Sequence, residues 1–216
     1  MKVKKIAIPV SDSIGSVNGE TMTEDNIDFL YVFAHGAGAG MSHPFMVNLS
    51  KALTRLRIGT LRYNFPYLEK GKKRPDPPAI AERTVSKAIE IAAELFPNVP
   101  LLAGGKSFGG RMTSQLLSKM ESPPVKGIVF AGFPLHAAGK PGTDRAAHLA
   151  DISIPMLFLQ GTRDALAQIE LIEKVTADLP SATLHKFEGA DHSFKAGKQD
   201  LIPTLAQAIR DWTTLI

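Results

Sequence analysis

Short apolar runs alternate with segments of helical periodicity along almost the whole chain, and this alternation limits the possible folds more than any other feature. Residues 29–34 form a near-continuous apolar run, typical of a strand that is buried on both faces, and residues 58–63 can form the next strand. Residues 78–96 instead carry apolar side chains on one helical face. Such alternation predicts an α/β fold, with a mostly parallel central sheet covered by helices on both faces.

The remaining elements follow the same pattern. Further strands are predicted at 101–103, 126–131, 155–160 and 182–187, and further helices near 45–56, 108–120, 166–179 and 201–216. The polar, turn-rich stretch 11–26 favours a hairpin at the sheet edge. Residues 133–154 interrupt the alternation and are rich in Ala, Gly and charge, so we predict a short lid there.

The chain length and the lack of any linker or repeat predict a single domain over residues 1–216. No apolar run approaches the ~18 residues of a membrane span, so we expect no membrane partner. The basic start resembles a secretory leader. However, its apolar part is too short, contains Pro9 and is followed by no small-residue cleavage site. We therefore interpret this segment as the first strand.

Composition excludes several kinds of chemistry. The chain has no cysteine, which excludes disulfides, a thiolate nucleophile and cysteine-ligated metals, and a cytoplasmic location fits. The formal net charge is +4. The one dense basic cluster lies within residues 70–74, and we interpret it as a solvated loop, with a basic rim that attracts anionic substrates as the alternative. We expect no nucleic-acid partner.

A G-x-S-x-G sequence at residues 105–109 is the sharpest functional signal. The pattern is short, but a predicted strand precedes it and a predicted helix follows it. Only glycine tolerates the crowding in so tight a turn, which lifts the hydroxyl of Ser107 above the sheet edge near the helix N-terminus. The alternative is a glycine-rich turn in which Ser107 caps the helix. We predict that Ser107 is a nucleophile.

A serine hydroxyl is a poor nucleophile until a base takes its proton, and His192 is the best candidate among six histidines. It follows the last predicted strand in the turn 189–194, although an ordinary loop histidine is the alternative. His35 is expected only to hydrogen-bond its own loop.

The base in turn needs an acid that holds its tautomer, and Asp164 fits this role. It follows the predicted strand 155–160, so it and His192 lie at carboxyl ends of strands. The chain order Ser, Asp, His is the one that this architecture requires. Asp191 and Glu188 are rivals, ranked lower because residues so close to the histidine in sequence rarely reach its far ring nitrogen.

A glycine-rich loop, residues 35–40, follows the buried strand 29–34. Such a loop can turn a backbone N–H toward a developing oxyanion. We predict Ala37 N–H as one donor and Phe108 N–H as the other. A reaction that uses these groups requires no metal or organic cofactor, and we expect neither.

Two other motifs fit less well. Residues 105–107 resemble the end of a phosphate-binding loop, but Pro100 stands where that motif needs a glycine, and the next strand has no acidic residue for magnesium. Residues 36–40 resemble a dinucleotide fingerprint, with Arg62 placed like a 2′-phosphate reader. There Met41 occupies the third glycine position, where it is too large.

Taken together, these motifs resemble the α/β-hydrolase superfamily over nearly the whole chain. The set of an HG loop, G-x-S-x-G, G-x-x-D and D-H-S-F is similar to the small dienelactone-hydrolase and carboxylesterase group. Residues 104–111 with 62–66 resemble a narrower subgroup, which also includes a hydrolase-like subunit of a eukaryotic chromatin complex. The resemblance implies the triad of Ser107, Asp164 and His192, but no substrate. Dienelactone hydrolases proper use a cysteine nucleophile, which this chain lacks.

The predicted activity is cleavage of a small carboxylic ester through an acyl-enzyme on Ser107. Lys106, Arg62 and Gly36 are candidate substrate-binding residues, since either cation can favour an acidic substrate, although surface lysines and structural arginines are commoner. The alternative function is a non-catalytic protein-interaction module on the same fold. Acyl length, leaving group and oligomeric state are left open by the sequence.

Overall fold

The computed structural model describes residues 1–216 and contains one sheet of eight strands. The strands are β1 (Lys2–Ser11), β2 (Gly15–Thr23), β3 (Phe29–Ala34), β4 (Ile58–Tyr63), β5 (Leu101–Lys106), β6 (Gly127–Ala131), β7 (Met156–Gly161) and β8 (Ala182–Phe187). Their order across the sheet is β1-β2-β4-β3-β5-β6-β7-β8. β2 is antiparallel to both of its neighbours, whereas β4, β3 and β5 to β8 pair in parallel. The predicted α/β fold is confirmed.

Six α-helices connect these strands. They are α1 (Pro44–Arg55), α2 (Pro66–Glu69), α3 (Pro78–Leu95), α4 (Phe108–Leu117), α5 (Ile169–Ala177) and α6 (Ile202–Thr213), and a 3₁₀ helix covers Asp144–Asp151. None of them combines the length and the apolar character that a membrane-crossing helix needs.

The sheet is covered on both faces, because apolar side chains of its central strands point to either side. In β3, Leu30, Val32 and Ala34 join one buried apolar layer, while Tyr31 and Phe33 join the other. Alternate side chains of a strand point to opposite faces, so a strand without polar positions must be covered twice. Helices α3, α4 and α5 pack on the first layer, and α1 and α6 pack on the second.

The strand order reverses next to β3, and this reversal positions the site. The chain leaves β3 for β4 on one side and then returns past β3 to β5 on its other side. The carboxyl ends of β3 and β5 are therefore neighbours, with Ala34 paired to Gly105. The loops that follow the two strands diverge from this point and leave a crevice, which is where open α/β sheets place ligands.

Two sequence predictions, the edge hairpin and the extent of β5, can be compared with the sheet. The predicted edge hairpin is present as β1 and β2, which pair from Lys2 with Thr23 to Ser11 with Gly15. β5 is longer than predicted and continues through two glycines to Lys106, because Gly104 and Gly105 pair with β6 despite the low strand preference of glycine.

The segment predicted to be a lid takes a different position. Within residues 133–154, Ala146 and Leu149 of the 3₁₀ helix are buried in the core, and His148 shares a hydrogen bond of 2.8 Å with Ser114 of α4. These contacts hold the segment against α4 on the flank of the sheet. The segment packs there because its few apolar side chains, which stand among small and charged residues in the sequence, are buried in the core.

Candidate active site

Ser107 lies in the turn between β5 and α4 with a strained backbone. Its φ of 49° and ψ of −114° are unusual for a residue with a side chain. The turn is crowded: a Cβ on Gly105 would lie 2.3 Å from Ala34 O, and one on Gly109 would lie 2.6 Å from His35 O. The glycines of the G-x-S-x-G sequence therefore allow β3 to approach the turn closely, and Ser107 is held above the sheet edge.

His192 lies between Ser107 and Asp164, in hydrogen-bond contact with both. Its Nε2 lies 2.8 Å from Ser107 Oγ, and its Nδ1 lies 2.6 Å from Asp164 Oδ2. A carboxylate only accepts hydrogen bonds, so Nδ1 carries the hydrogen and the lone pair of Nε2 faces the serine hydroxyl. The structure thus brings the three predicted residues together from the ends of β5, β7 and β8.

Asp164 is fully buried, and every neighbour that contacts its carboxylate donates a hydrogen bond. Besides His192, Gln160 Nε2–H donates to Oδ2 at 2.6 Å, and Leu166 N–H donates to Oδ1 at 2.7 Å. Gln160 is itself held by Phe133 N–H, which donates to its Oε1 at 3.0 Å. These donors fix the orientation of the carboxylate toward the imidazole and offset the cost of burying its charge.

The turn that carries His192 is closed by its own side chains. Asp191 Oδ1 accepts from the backbone N–H groups of Ser193 and Lys195 at 2.8 and 2.9 Å. Phe194 has a φ of 60° and is buried, with its ring stacked on Phe45 at 5.7 Å between centroids. Packing of this ring compensates for the strained backbone, so the loop presents the imidazole in one orientation.

The glycine-rich loop after β3 lies beside Ser107. Ala37 N–H has no acceptor within the chain, and Phe108 N–H is the first of α4, where no intrahelical acceptor exists. Gly36 packs against the nucleophile turn, because a Cβ there would lie 3.6 Å from Ser107 Cβ.

Residues 62–67 brace this loop through four hydrogen bonds. Phe65 N–H donates to His35 Nε2 at 3.1 Å, and Gly38 N–H donates to the hydroxyl of Tyr67 at 3.2 Å. The other two bonds hold Met41, whose N–H donates to Asn64 Oδ1 at 2.9 Å and whose carbonyl accepts from Arg62 Nη1–H at 2.7 Å. Polar groups of this segment therefore set the conformation of the loop.

His35 has a structural position at the base of the same loop. Because its Nε2 accepts from Phe65 N–H, its Nδ1 carries the hydrogen and donates to Gly36 O at 2.8 Å. Burial lowers the pKa of the imidazole to about 4. His35 is therefore neutral at pH 7 and occupied by backbone groups, in agreement with the expectation that it only holds the loop.

Arg62 differs from its predicted role as a substrate-binding residue. Its side chain is almost fully buried, pairs with Glu20 of β2 and donates to the loop at Met41. It does not line the cavity at Ser107. The reason is sheet position: Arg62 lies in β4 opposite Glu20 of the edge hairpin, a pairing that the sequence does not reveal.

A cavity of about 410 Å³ opens over Ser107 and His192. Its walls are the loop of residues 36–39, the start of α1 with Phe45 and Met46, and Leu166 from the segment after Asp164. No residue of the segment 133–154 lines it, so that segment does not cover the site. The cavity is open to solvent, apolar on one side and lined by backbone groups on the other.

A comparison with protein-family models identifies the relationship. Residues 28–213 match the model of the alpha/beta hydrolase domain. The chain belongs to the alpha/beta hydrolase family. The match covers every element of this hydrolase except the edge hairpin.

Solved structures of similar fold agree with this assignment. A dienelactone hydrolase from Anabaena variabilis matches with a TM-score of 0.81 at 17% identity, over 99% of this chain and 97% of that one. A serine hydrolase without lid from Xanthomonas campestris matches with a TM-score of 0.76 at 18% identity, over 98% and 95%. An esterase domain from Rhodothermus marinus matches with a TM-score of 0.75 at 14% identity, over 99% and 98%. Family and neighbours together support a hydrolase activity.

The other residues considered from the sequence as acid, base or substrate-binding groups make different contacts in this hydrolase. Asp191 closes its own turn, and Glu188 is exposed and accepts from the hydroxyl of Thr162. His43 caps α1, where its Nδ1 accepts from Phe45 N–H. The basic cluster at residues 70–74 is exposed and makes no ion pair, and it does not line the cavity.

The sequence analysis missed Gln160, Tyr67 and Asn64. Gln160 had a signal, since it is a polar residue inside the otherwise apolar strand β7, four positions before Asp164. Tyr67 and Asn64 had no such signal beyond the motif around Arg62, because the backbone groups that they bind lie more than twenty residues away in the chain.

Proposed function

We propose that this protein is a serine hydrolase that cleaves a small carboxylic ester through an acyl-enzyme on Ser107. The observation that carries the proposal is the hydrogen-bonded chain from Ser107 Oγ through His192 to the buried Asp164 carboxylate, at the base of a solvent-accessible cavity. A lone serine at a helix start would cap the helix, but Ser107 makes no capping hydrogen bond. Its hydroxyl is instead directed to a base.

In the first half-reaction, Ser107 Oγ forms a bond to the carbonyl carbon of the ester, and its proton moves to His192 Nε2. Asp164 stabilises the imidazolium and holds its orientation. When the tetrahedral intermediate collapses, the bond from carbon to the leaving oxygen breaks, and Nε2–H returns the proton to that oxygen. The alcohol departs and the acyl group stays on Ser107.

In the second half-reaction, His192 takes a proton from water, and the resulting hydroxide attacks the acyl carbon. Collapse then breaks the bond to Ser107 Oγ, and the imidazolium returns its proton to the serine. The carboxylic acid leaves. In neither half-reaction does a proton or an electron pair pass through a metal or an organic cofactor.

The backbone N–H groups of Ala37 and Phe108 would donate to the oxyanion that forms in each half-reaction. Both lie in the elements that flank Ser107, and the Ala37 N–H has no other acceptor. Loss of one such donor typically costs ~3–4 kcal/mol of transition-state stabilisation. The brace formed by residues 62–67 holds this donor in place before substrate arrives.

The cavity indicates the size and character of the substrate. A volume of about 410 Å³ suits a small ester, with its apolar part against Phe45, Met46 and Leu166. Residues 36–39 are glycine or alanine, so this part of the wall offers the substrate backbone groups and methyl groups. We place the whole activity in one domain, and we keep the cytoplasmic location as a prediction for cell fractionation to test.

Labelling with a fluorophosphonate probe tests the nucleophile. We expect the folded wild-type protein to be labelled at Ser107 and to hydrolyse short p-nitrophenyl esters, while Ser107→Ala loses both properties. Ser118→Ala is the matched control, since Ser118 lies at the far end of α4 outside the cavity, and it should behave as wild type. Absence of labelling in folded wild-type protein would refute the enzymatic proposal and favour the interaction module.

A further inference from the structure

Lys106 places a half-buried ammonium group in the wall of the cavity, without a carboxylate in contact. It is the last residue of β5 and directly precedes Ser107. Its Nζ makes one hydrogen bond, to the backbone carbonyl of His192 at 2.5 Å. Nζ lies over the rings of Phe194 and Phe45, at 5.4 and 5.9 Å from their centroids, as in cation–π contacts.

Partial removal of the ammonium from water is costly. This desolvation lowers the pKa of the Lys106 ammonium to about 8, although the charges of Asp164 and Asp191 act in the opposite direction. An apolar side chain of the same length would avoid that cost but would lose the hydrogen bond to His192 O.

The one hydrogen bond of Lys106 connects the turn of the nucleophile to the turn of the base. It joins the residue next to Ser107 to the backbone of His192, which lie 86 positions apart in the chain. Gly132, directly after β6, is close to both groups, since a Cβ there would lie 3.0 Å from Lys106 Nζ and 3.5 Å from the imidazole of His192.

We propose that Lys106 is a positioning residue, which ties the His192 backbone to the Ser107 turn and so holds the imidazole beside the serine hydroxyl. This inference deepens the proposed function and rests on it. It replaces the expectation that Lys106 binds an acidic substrate, because its ammonium is held by His192 O and by the two rings.

The contact itself gives the proposal a measurable sign. Lys106 Nζ holds the backbone of His192 and makes no hydrogen bond to the imidazole. Its removal should therefore displace the base from Ser107 Oγ, and this should lower kcat more than it raises KM.

The test compares Lys106→Met, Lys106→Arg and the matched control Lys51→Met, which removes an exposed lysine of α1 outside the cavity. In Lys106→Met we expect kcat to fall at least ~10-fold with little change in KM, because the imidazole is no longer held at its distance from Ser107 Oγ. Lys106→Arg keeps a cationic N–H donor and should recover part of kcat, and Lys51→Met should behave as wild type.

Three results would overturn the proposal. The first is an unchanged kcat in folded Lys106→Met, and the second is a loss confined to the KM of anionic esters when these are compared with neutral esters of equal size. If Lys106→Met lacks a cooperative melt, Lys106→Gln takes its place, because its shorter, uncharged side chain also removes the ammonium contact with His192 O. An unchanged kcat in that variant is the third result.

The rate of fluorophosphonate labelling separates this inference from the proposed function. We expect Ser107 to be labelled more slowly in Lys106→Met than in wild type, and Lys106→Arg to recover part of the rate. A wild-type protein that is not labelled by fluorophosphonate contradicts the proposed function. Equal labelling rates in wild type and folded Lys106→Met contradict the role of Lys106.

Discussion

Gln160 and His192 donate hydrogen bonds to the same oxygen of Asp164, each at 2.6 Å. The amide of Gln160 lies in β7 and is fully buried, so it has no water with which to replace this bond. Because its Oε1 also accepts from Phe133 N–H, the amide is held at both ends. The carboxylate that orients the base is therefore itself oriented by a rigid group of the sheet.

Replacement of Gln160 by Met tests this relationship. We expect kcat to fall about 10-fold, because the carboxylate loses a charge-assisted hydrogen bond and Phe133 N–H loses its acceptor. Gln168→Met is the matched control, since Gln168 is exposed and its amide makes no hydrogen bond. Ester hydrolysis measured on both folded variants decides the matter, and equal activities would contradict the role of Gln160.

The hydroxyl of Tyr67 is expected to set the loop that carries the Ala37 donor. In Tyr67→Phe, Gly38 N–H loses its acceptor, and we expect kcat to fall about 5- to 10-fold with KM nearly unchanged, from a loss of ~1 kcal/mol. Tyr31→Phe removes another buried tyrosine hydroxyl, which donates to Val129 O away from the loop. That control should lower the free energy of unfolding without lowering kcat. A kcat loss of similar size in both variants would argue against a specific effect on the loop.

His35 makes stability depend on pH. Its folded-state pKa of about 4 lies below the usual 6.5, so the unfolded state binds more protons between these values. The stabilisation is therefore complete above pH 6.5, falls as the pH drops toward 4, and amounts to ~3 kcal/mol over that window.

Urea unfolding of wild type and His35→Gln at pH 7 and pH 4.5 measures this contribution. Gln cannot titrate, so the variant lacks the pH-dependent contribution of His35. We expect it to be less stable than wild type at pH 7 but to lose less stability on acidification. Taking the difference between the two proteins cancels the titration of all other groups. Parallel losses in both proteins would show that His35 is not responsible.

Gly109→Ala should damage both the fold and the site. The new Cβ would lie 2.6 Å from His35 O and 2.7 Å from Ala34, and neither backbone can retreat from the sheet. We expect a loss of ~3 kcal/mol in unfolding free energy and a loss of fluorophosphonate labelling. Gly142→Ala provides the comparison, because a Cβ there meets nothing within 4 Å. Wild-type melting and labelling in Gly109→Ala would show that the turn is not so confined.

Local signals in the sequence were sufficient for the elements and for the nucleophile turn. The apolar run of β3 and the helical periodicity of α3 depend on neighbouring residues, so their bounds were predicted nearly to the residue. The signal for the turn at Ser107 is also local, because it consists of glycines two positions away on either side, although the crowding that they relieve comes from Ala34 and His35. Chain order and strand ends placed Asp164 and His192 at the correct edge of the sheet.

Contacts between distant segments decided the rest. Arg62 pairs with Glu20 of the hairpin, Lys106 donates to a carbonyl 86 positions away, and the segment 133–154 packs on α4 instead of over the cavity. A sequence pattern shows on which face or edge a side chain lies, but not which partner it meets there. Partners depend on the order of strands in the sheet, and that order is a property of the whole fold.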